Sequence, residues 1–201
     1  MRSALGKELR KQFTQAISHA FPGFEEVKAP SVWPGARMYV HRTPEASYFI
    51  RLVPTHNSDE FRVMFGWSSS GEFPSEFRPV PRPKLLDGDF PSHDGYEFRI
   101  TQVINKAGAT SDRMWVLDDP MGVAFGRTLQ EFAKPGDSEV ATLERATSQG
   151  LSYMMSSYRE TAVEKLLPKI PVLVEDCIGC IRQTAIPYFE KVKEWRARNA
   201  T

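Results

Sequence analysis

The sequence has no excess of charge of either sign. Its 201 residues include 26 lysines and arginines against 25 aspartates and glutamates, which gives a formal net charge of +1 at pH 7. Proteins that bind nucleic acid usually concentrate basic residues on one face, because contacts with phosphates supply much of the affinity. A local basic patch can lie within a neutral total, but the overall balance disfavours a nucleic-acid partner.

Long apolar runs are absent as well, and cysteine is scarce. No run approaches the roughly 20 residues that a helix needs to cross a bilayer. Charges interrupt the apolar positions of the first segment, MRSALGKELRKQ, where a signal peptide would have a continuous apolar stretch. The two cysteines, Cys177 and Cys180, lie too close together to staple a secreted fold. We therefore expect a cytoplasmic protein that does not associate with membranes.

The segment from Glu60 to Ser68 has the clearest structural pattern in the chain. Its apolar residues Phe61, Val63, Phe65 and Trp67 alternate, so an extended backbone places all four on one face. The small residues that follow favour a turn, and the next proline cannot donate to a sheet. The segment is therefore predicted to be a central, interior β-strand that opens into an exposed loop.

Other patterns place helices and strands around this strand within a single domain. Apolar residues at every fourth position predict a helix over residues 3–20, and shorter patterns predict strands at 37–42, 48–53, 96–104 and 112–117. Residues 24–36 contain two prolines and no periodic pattern, so we interpret them as a loop. Five prolines between residues 69 and 95 predict an extended excursion.

The C-terminal part of the chain has helical periodicity. A helix is expected to start after an N-cap at Asp137 and to continue to about Leu167, where Pro168 and Pro171 end it. Another helix follows, and Pro187 either kinks it or begins a last helix that ends near residue 198. The predicted fold is α+β, with an antiparallel sheet of about five strands, an N-terminal helix, and C-terminal helices within residues 137–198 that pack on one face.

The spacing of Cys177 and Cys180 is the one pattern that is typical of a metal or redox site. Val174, Ile178 and Ile181 share a helical face with Cys177, which favours packing of the thiols in the core. A structural zinc site would need two further ligands, and the sequence supplies no second pair. We predict no metal and no cofactor, and a redox role remains an alternative.

The remaining polar motifs match no catalytic pattern. The four histidines, His19, His41, His56 and His93, have no paired spacing, although His41 could act as a base if it projects near Arg51 or Arg62. The Gly66–Gly71 loop lacks the lysine of a phosphate-binding loop and the Gly-x-Ser-x-Gly spacing of hydrolases.

Several arginines fall in predicted strands, and they allow two interpretations. On an open sheet face they could bind phosphate or carboxylate through paired hydrogen bonds. The favoured interpretation is a solvated outer face on which they pair with glutamates such as Glu60 and Glu97. The arginines concerned are Arg37, Arg42, Arg51, Arg62 and Arg99.

Three segments carry a resemblance to a known group. The leading helix GKELRKQF, the aromatic strand FRVMFGWSSSGEFP and the proline-marked helix IRQTAIPYFEKVKEW together resemble the DUF4304-like small bacterial proteins of unknown function. The proline-rich middle of the chain is unmatched. The resemblance implies an α+β domain without established catalytic residues, so no site is carried over from it.

Two functional hypotheses follow. The leading one is a bacterial cytosolic protein-interaction domain, an immunity or defence-accessory protein, that binds a protein through the open sheet face and the aromatic residues of the long loop. The alternative is an enzyme or small-ligand-binding protein with a pocket near the end of the central strand. The candidate binding residues are Trp67, Ser68, Ser69, Phe73, Phe77, Arg51 and Arg62.

Overall fold

The computed structural model describes residues 1–28, 35–55, 59–71, 97–99, 115–118, 136, 138, 140–145, 147 and 161–199. Its named elements follow in chain order. They are α1 (Ser3–Ala20), β1 (Glu25–Val27), β2 (Arg37–Arg42), β3 (Ser47–Pro54), β4 (Glu60–Ser68), β5 (Glu97–Arg99), β6 (Trp115–Val116), α2 (Val163–Leu166) and α3 (Lys169–Asn199). The α+β prediction is confirmed.

Helix α1 has the predicted bounds because its apolar residues fall on one face. Leu5, Leu9, Phe13 and Ile17 recur every four residues, and all four are fully buried. At the C-terminal end the backbone N–H of Phe21 still donates to the carbonyl of Ile17, and the proline that follows cannot continue the helix.

The sheet is an antiparallel meander in the order β1–β2–β3–β4–β5, and β6 pairs with a different part of β4. The central strand β4 pairs along its whole length with β3, with Ile50 opposite Phe65. The four alternating residues of β4 are buried in the same core cluster as the apolar residues of α1 and α3. This arrangement confirms the prediction of an interior strand screened by helices from both ends of the chain.

The opposite face of the sheet is also buried at its centre, so the expectation of a solvated outer face is wrong there. Met38, Val40 and Phe49 form a second apolar cluster on this face. Arg51 and Met64 are directly paired across β3 and β4, and the Arg51 side chain is fully buried. Apolar residues alternate with arginines along these strands. Because those apolar residues are buried, this face of the sheet is not an open arginine surface.

One strand lies where the sequence predicted a loop. Residues 25–27 form β1, and Val27 pairs with Met38 of β2. The side chains of Glu25 and Glu26 are exposed, so the strand has no alternating apolar pattern. Backbone pairing with β2 holds it, and Arg37 adds an ion pair to Glu26 at 2.8 Å.

The predicted helix after residue 137 is only partly within the described residues. Residues 140–145 are helical, and the hydroxyl of Ser138 accepts a hydrogen bond from the backbone N–H of Ala141 at 3.2 Å. Such a contact caps a helix N-terminus. Asp137, which was expected to be the cap, lies outside the described residues.

This helix does not continue to Leu167 as predicted. Ala162 has extended backbone angles, φ −61° and ψ 140°, and α2 begins after it as a separate short helix. The break coincides with tertiary contacts of Thr161, whose carbonyl accepts a hydrogen bond from Arg2 and whose hydroxyl donates to Asp118. Long-range polar contacts therefore override the local helical pattern.

Helix α3 is longer than predicted, because neither of its prolines ends it. The helix starts at Lys169, which places Pro171 in its first turn, where the missing N–H leaves no hydrogen bond unmade. Pro187 lies inside the helix, so it does not begin a separate one. Both Pro187 and Gln183, whose carbonyl loses its helical donor, are exposed to solvent.

A polar cluster joins the start of α1 to the β3–β4 turn and to the segment before α2. The backbone N–H and the Nε–H of Arg2 donate to the two carboxylate oxygens of Asp59 at 2.8 and 2.7 Å. Arg2 Nη1 donates to the carbonyl of Thr161 at 2.6 Å, and the carboxylate of Asp118 lies 3.8 Å from Arg2 Nη2. Because Asp59 is only 3% exposed and Arg2 is 15% exposed, this ion pair is largely buried.

The burial of Tyr39 predicts that the folded protein loses stability at high pH. Burial raises the pKa of its hydroxyl to about 12, and the hydroxyl lies 2.7 Å from Thr14 Oγ1 of α1. In the unfolded chain a tyrosine ionises near pH 10, so between about pH 10 and 12 the unfolded state loses its proton first. The free energy of unfolding should fall there by roughly 1.4 kcal/mol per pH unit.

The variant Tyr39→Phe should lack this part of the pH dependence. Denaturant unfolding of both proteins at about pH 9 and about pH 11.5 measures the difference. An equal loss of stability in wild type and variant would show that Tyr39 does not titrate in this way.

Candidate functional site

The predicted binding residues that the structure describes lie on both faces of the sheet. Trp67 lies on the helix-covered face of β4, where its ring centroid is 6.4 Å from that of Trp195. Ser68 is buried and Ser69 is exposed. Phe73 and Phe77 lie outside the described residues. A buried indole that packs against α3 leaves no opening at its own position for a ligand.

Arg51 and Arg62 lie on the other face of the sheet from Trp67. Arg51 is opposite Met64, and Arg62 is opposite Val53, so both arginines belong to the face that carries the second apolar cluster. Arg51 is fully buried, whereas Arg62 is half-buried. These arginines and Trp67 therefore cannot line one pocket.

His41 is on the helix-covered face as well, and so it does not project toward Arg51 or Arg62. Its Nδ1 lies 2.8 Å from the carbonyl oxygen of Gly23. Its ring lies between Phe24 and Tyr48, with centroid distances of 5.5 and 6.3 Å. A side chain at Gly23 would collide with the imidazole, whose Nδ1 would be 2.7 Å from an added Cβ. The contacts of His41 indicate a structural role.

Neither cysteine forms a disulfide bond. Cys177 is buried in the core cluster, and Cys180 packs against that cluster. Burial raises the pKa of the Cys177 thiol well above its usual value, with smaller contributions from Cys180 and Asp176. A thiol held in its protonated form is a poor nucleophile and a poor metal ligand. Among the described residues, no three histidine, cysteine or acidic side chains come together as a metal site would require.

The described surface has a groove of about 590 Å³ between α1 and α3. Its floor is made of small and aliphatic side chains, and its rim is polar and charged. The lining consists of Gln12, Gln15, Ala16, His19, Ala20, Pro171, Val174, Glu175, Ile178, Gly179 and Arg182. No local sequence pattern predicts this groove, because its two walls are more than 150 residues apart in the chain.

Contacts near the two ends of α1 show that α1 and α3 run in the same direction. Near the start of α1, Arg2 contacts Thr161, a few residues before α3 begins. Near its end, the guanidinium carbon of Arg182 lies 6.0 Å from the centre of the Phe21 ring. Glu175 therefore lies toward one end of the groove, and Arg182 lies with His19 toward the other.

Gly179 is unusual because it lies in the middle of a 31-residue helix. A glycine in a helix interior is less favourable than alanine by about 1 kcal/mol. Nothing lies within 4 Å of the position that a Cβ of Gly179 would occupy, so packing within the described residues does not require a glycine there. The missing side chain leaves helical backbone open on the floor of the groove.

The chain matches no protein-family model, no curated protein and no solved structure. The resemblance to the DUF4304-like proteins therefore stays a prediction. Within the described part of the chain, no helix combines the length and the apolar character needed to cross a membrane.

Proposed function

We propose that this chain is a protein-interaction domain and that the α1–α3 groove is its docking surface. The observation that carries the proposal is a groove with a polar rim, whose floor consists of the partly exposed Ala16, Ala20 and Gly179 above the buried Val174 and Ile178. Apolar patches with polar rims are typical of surfaces that bind other proteins. This surface replaces the sheet face of the sequence-based hypothesis, whose central residues are buried.

The groove is better suited to binding than to catalysis. Its ionisable side chains are His19, Glu175 and Arg182, and all three are exposed to solvent. Catalytic groups usually work in a setting that shields them from water and perturbs their pKa. The alternative pocket near the end of β4 has less support, because Trp67 packs against Trp195 there.

Filling the groove at Gly179 should block partner binding. In the variant Gly179→Leu an isobutyl group projects from the floor at a position where a Cβ meets no neighbour, so the fold should tolerate it. We expect binding of the cognate partner to weaken tenfold or more, since overpacking a close contact costs about 1 to 3 kcal/mol. The measurement is affinity capture from the organism that encodes the chain, followed by titration of the captured protein.

A matched variant controls for side effects. Lys191→Leu adds a leucine at an exposed position of α3 outside the groove. It should keep partner binding within about twofold of wild type, because surface substitutions usually change free energies by less than about 0.5 kcal/mol. A partner that binds Gly179→Leu as tightly as wild type would place the docking surface elsewhere, and failure to capture any stoichiometric partner would contradict the proposal.

The narrower parts of the sequence-based hypothesis stay predictions. A cytoplasmic location, a bacterial origin and a role as an immunity or defence-accessory protein are compatible with an interaction domain. The identity of the captured partner tests the last of these, because an immunity protein would bind a toxin or a component of a defence system.

A further inference from the structure

The groove is long enough to bind a short helix. It extends from Gln12 to Ala20 along α1 and from Pro171 to Arg182 along α3. Eight residues of α-helix rise about 12 Å, so the groove is two to three turns long. Two neighbouring helices that run in the same direction leave a continuous groove between them. The side chains of a third helix can pack into such a groove.

Small residues at the floor allow a close approach. Ala16 and Ala20 of α1 line the groove together with Gly179 of α3, and the Cβ position of Gly179 is open. Interaxial distances between packed helices fall to about 8 Å where the contacting side chains are small. A partner backbone can therefore come close at this position, which gives a reason for a glycine that the described packing does not require.

The charges at the rim of the groove indicate which charges a complementary partner carries. Glu175 carries a negative charge toward one end, and Arg182 carries a positive charge toward the other, where His19 also lies. Seven residues separate Glu175 from Arg182, so the two charges lie about 10.5 Å apart along α3. A complementary helix has a basic residue and an acidic residue that are also two turns apart.

The other classes of ligand fit less well. An extended peptide that adds to a sheet needs a free strand edge, whereas the walls of this groove are helices whose backbone groups are already bonded. A small molecule would be poorly enclosed between two helices with an exposed rim. An anionic membrane surface would favour a basic face, and this rim carries charges of both signs.

We propose that the α1–α3 groove binds an amphipathic helix of two to three turns, with a basic and an acidic residue seven positions apart along the edge of its apolar face. This inference rests on the proposed function and specifies the partner. It assigns Glu175 and Arg182 to partner selection and Gly179 to close approach.

Designed peptides test the inference. The probes are three blocked 16-residue helical peptides with the same apolar face of leucines and with different charges at the two edge positions. One carries lysine and glutamate, one carries two lysines, and one carries two glutamates. Binding is measured by fluorescence anisotropy at low ionic strength. Wild type should bind the lysine–glutamate peptide about fivefold to tenfold more tightly than either other peptide, because each of the others replaces one attraction by a repulsion.

A variant of the rim supplies the matched control. In Glu175→Lys both ends of the groove are basic, so the preference should move to the peptide with two glutamates, whichever direction the helix takes. Gly179→Leu should weaken the binding of all three peptides at least tenfold. Equal binding of the three peptides, or no binding of any up to about 1 mM, would overturn the inference.

Failure of this inference can be told from failure of the proposed function. If a cellular partner is lost with Gly179→Leu but no peptide binds selectively, the groove docks a protein that is not a helix of this kind. Sedimentation of the wild-type chain tests a further occupant. A dimer that Gly179→Leu converts to a monomer would show that a second copy fills the groove, and it too would overturn the inference.

Discussion

Replacing Asp59 by alanine is expected to lower the free energy of unfolding by about 3 kcal/mol. Both carboxylate oxygens accept hydrogen bonds from Arg2, and the Asp59 side chain is only 3% exposed. Removing one member of a buried ion pair leaves the other charge without compensation, which typically costs 3 to 5 kcal/mol. We expect the lower end of that range, because Arg2 is 15% exposed and keeps its bond to Thr161. Urea unfolding monitored by tryptophan fluorescence measures the loss.

Asp118 provides the comparison within the same cluster. Its carboxylate lies 3.8 Å from Arg2 and is more exposed than that of Asp59. The variant Asp118→Ala should therefore cost less than about 1 kcal/mol. A double-mutant cycle between Arg2 and Asp59 isolates their coupling. If Asp59→Ala costs no more than Asp118→Ala, the buried pair does not hold the start of α1 in the way that its geometry indicates.

The parts of the fold that were predicted correctly have a periodic apolar pattern. α1 and β4 have the predicted bounds, because one face of each is lined by residues that are fully buried. β1 was missed because its glutamates are exposed and its stability comes from pairing with β2. The break at Ala162 was missed for a similar reason, since contacts of Thr161 with distant side chains hold it.

The candidate site was harder to predict than the fold. The alternation of β4 correctly identified Trp67 as a core residue, but it could not show that α3 covers this residue. Arg51 looked like a surface residue because arginine usually is one, and only the burial of its face revealed otherwise. The α1–α3 groove depends on two helices from opposite ends of the chain, and no local pattern links Ala16 to Gly179.

The position of the groove relative to the sheet explains how binding and stability can be separated. Ile17 of α1 and Cys177 of α3 point into the core cluster, while Ala16 and Gly179 line the groove. Each helix therefore uses one face to cover the sheet and another to frame the groove. Substitutions at groove residues outside the core, such as Gly179, should change partner binding with little effect on folding, whereas substitutions at residues that face only the core should do the reverse.

Among substitutions on the core face, the variant Phe65→Ala should cause the largest loss of stability. Phe65 is fully buried at the centre of β4, and its ring contacts those of Tyr188 and Phe189 of α3 at centroid distances of 5.3 and 6.0 Å. Truncating a buried phenylalanine removes its transfer free energy and leaves a cavity, which together cost about 3 to 5 kcal/mol. We expect a loss of about 4 kcal/mol in urea unfolding, because both α3 rings lose a contact.

Two substitutions calibrate this expectation. Phe65→Leu keeps most of the volume and should cost roughly 1 to 1.5 kcal/mol. Val172→Ala removes a side chain that is 67% exposed on α3, and it should change stability by less than about 0.5 kcal/mol. A cost for Phe65→Ala close to that of Val172→Ala would mean that β4 is not packed beneath α3. The sheet would then not support the part of α3 that follows the groove, where Tyr188 and Phe189 contact Phe65.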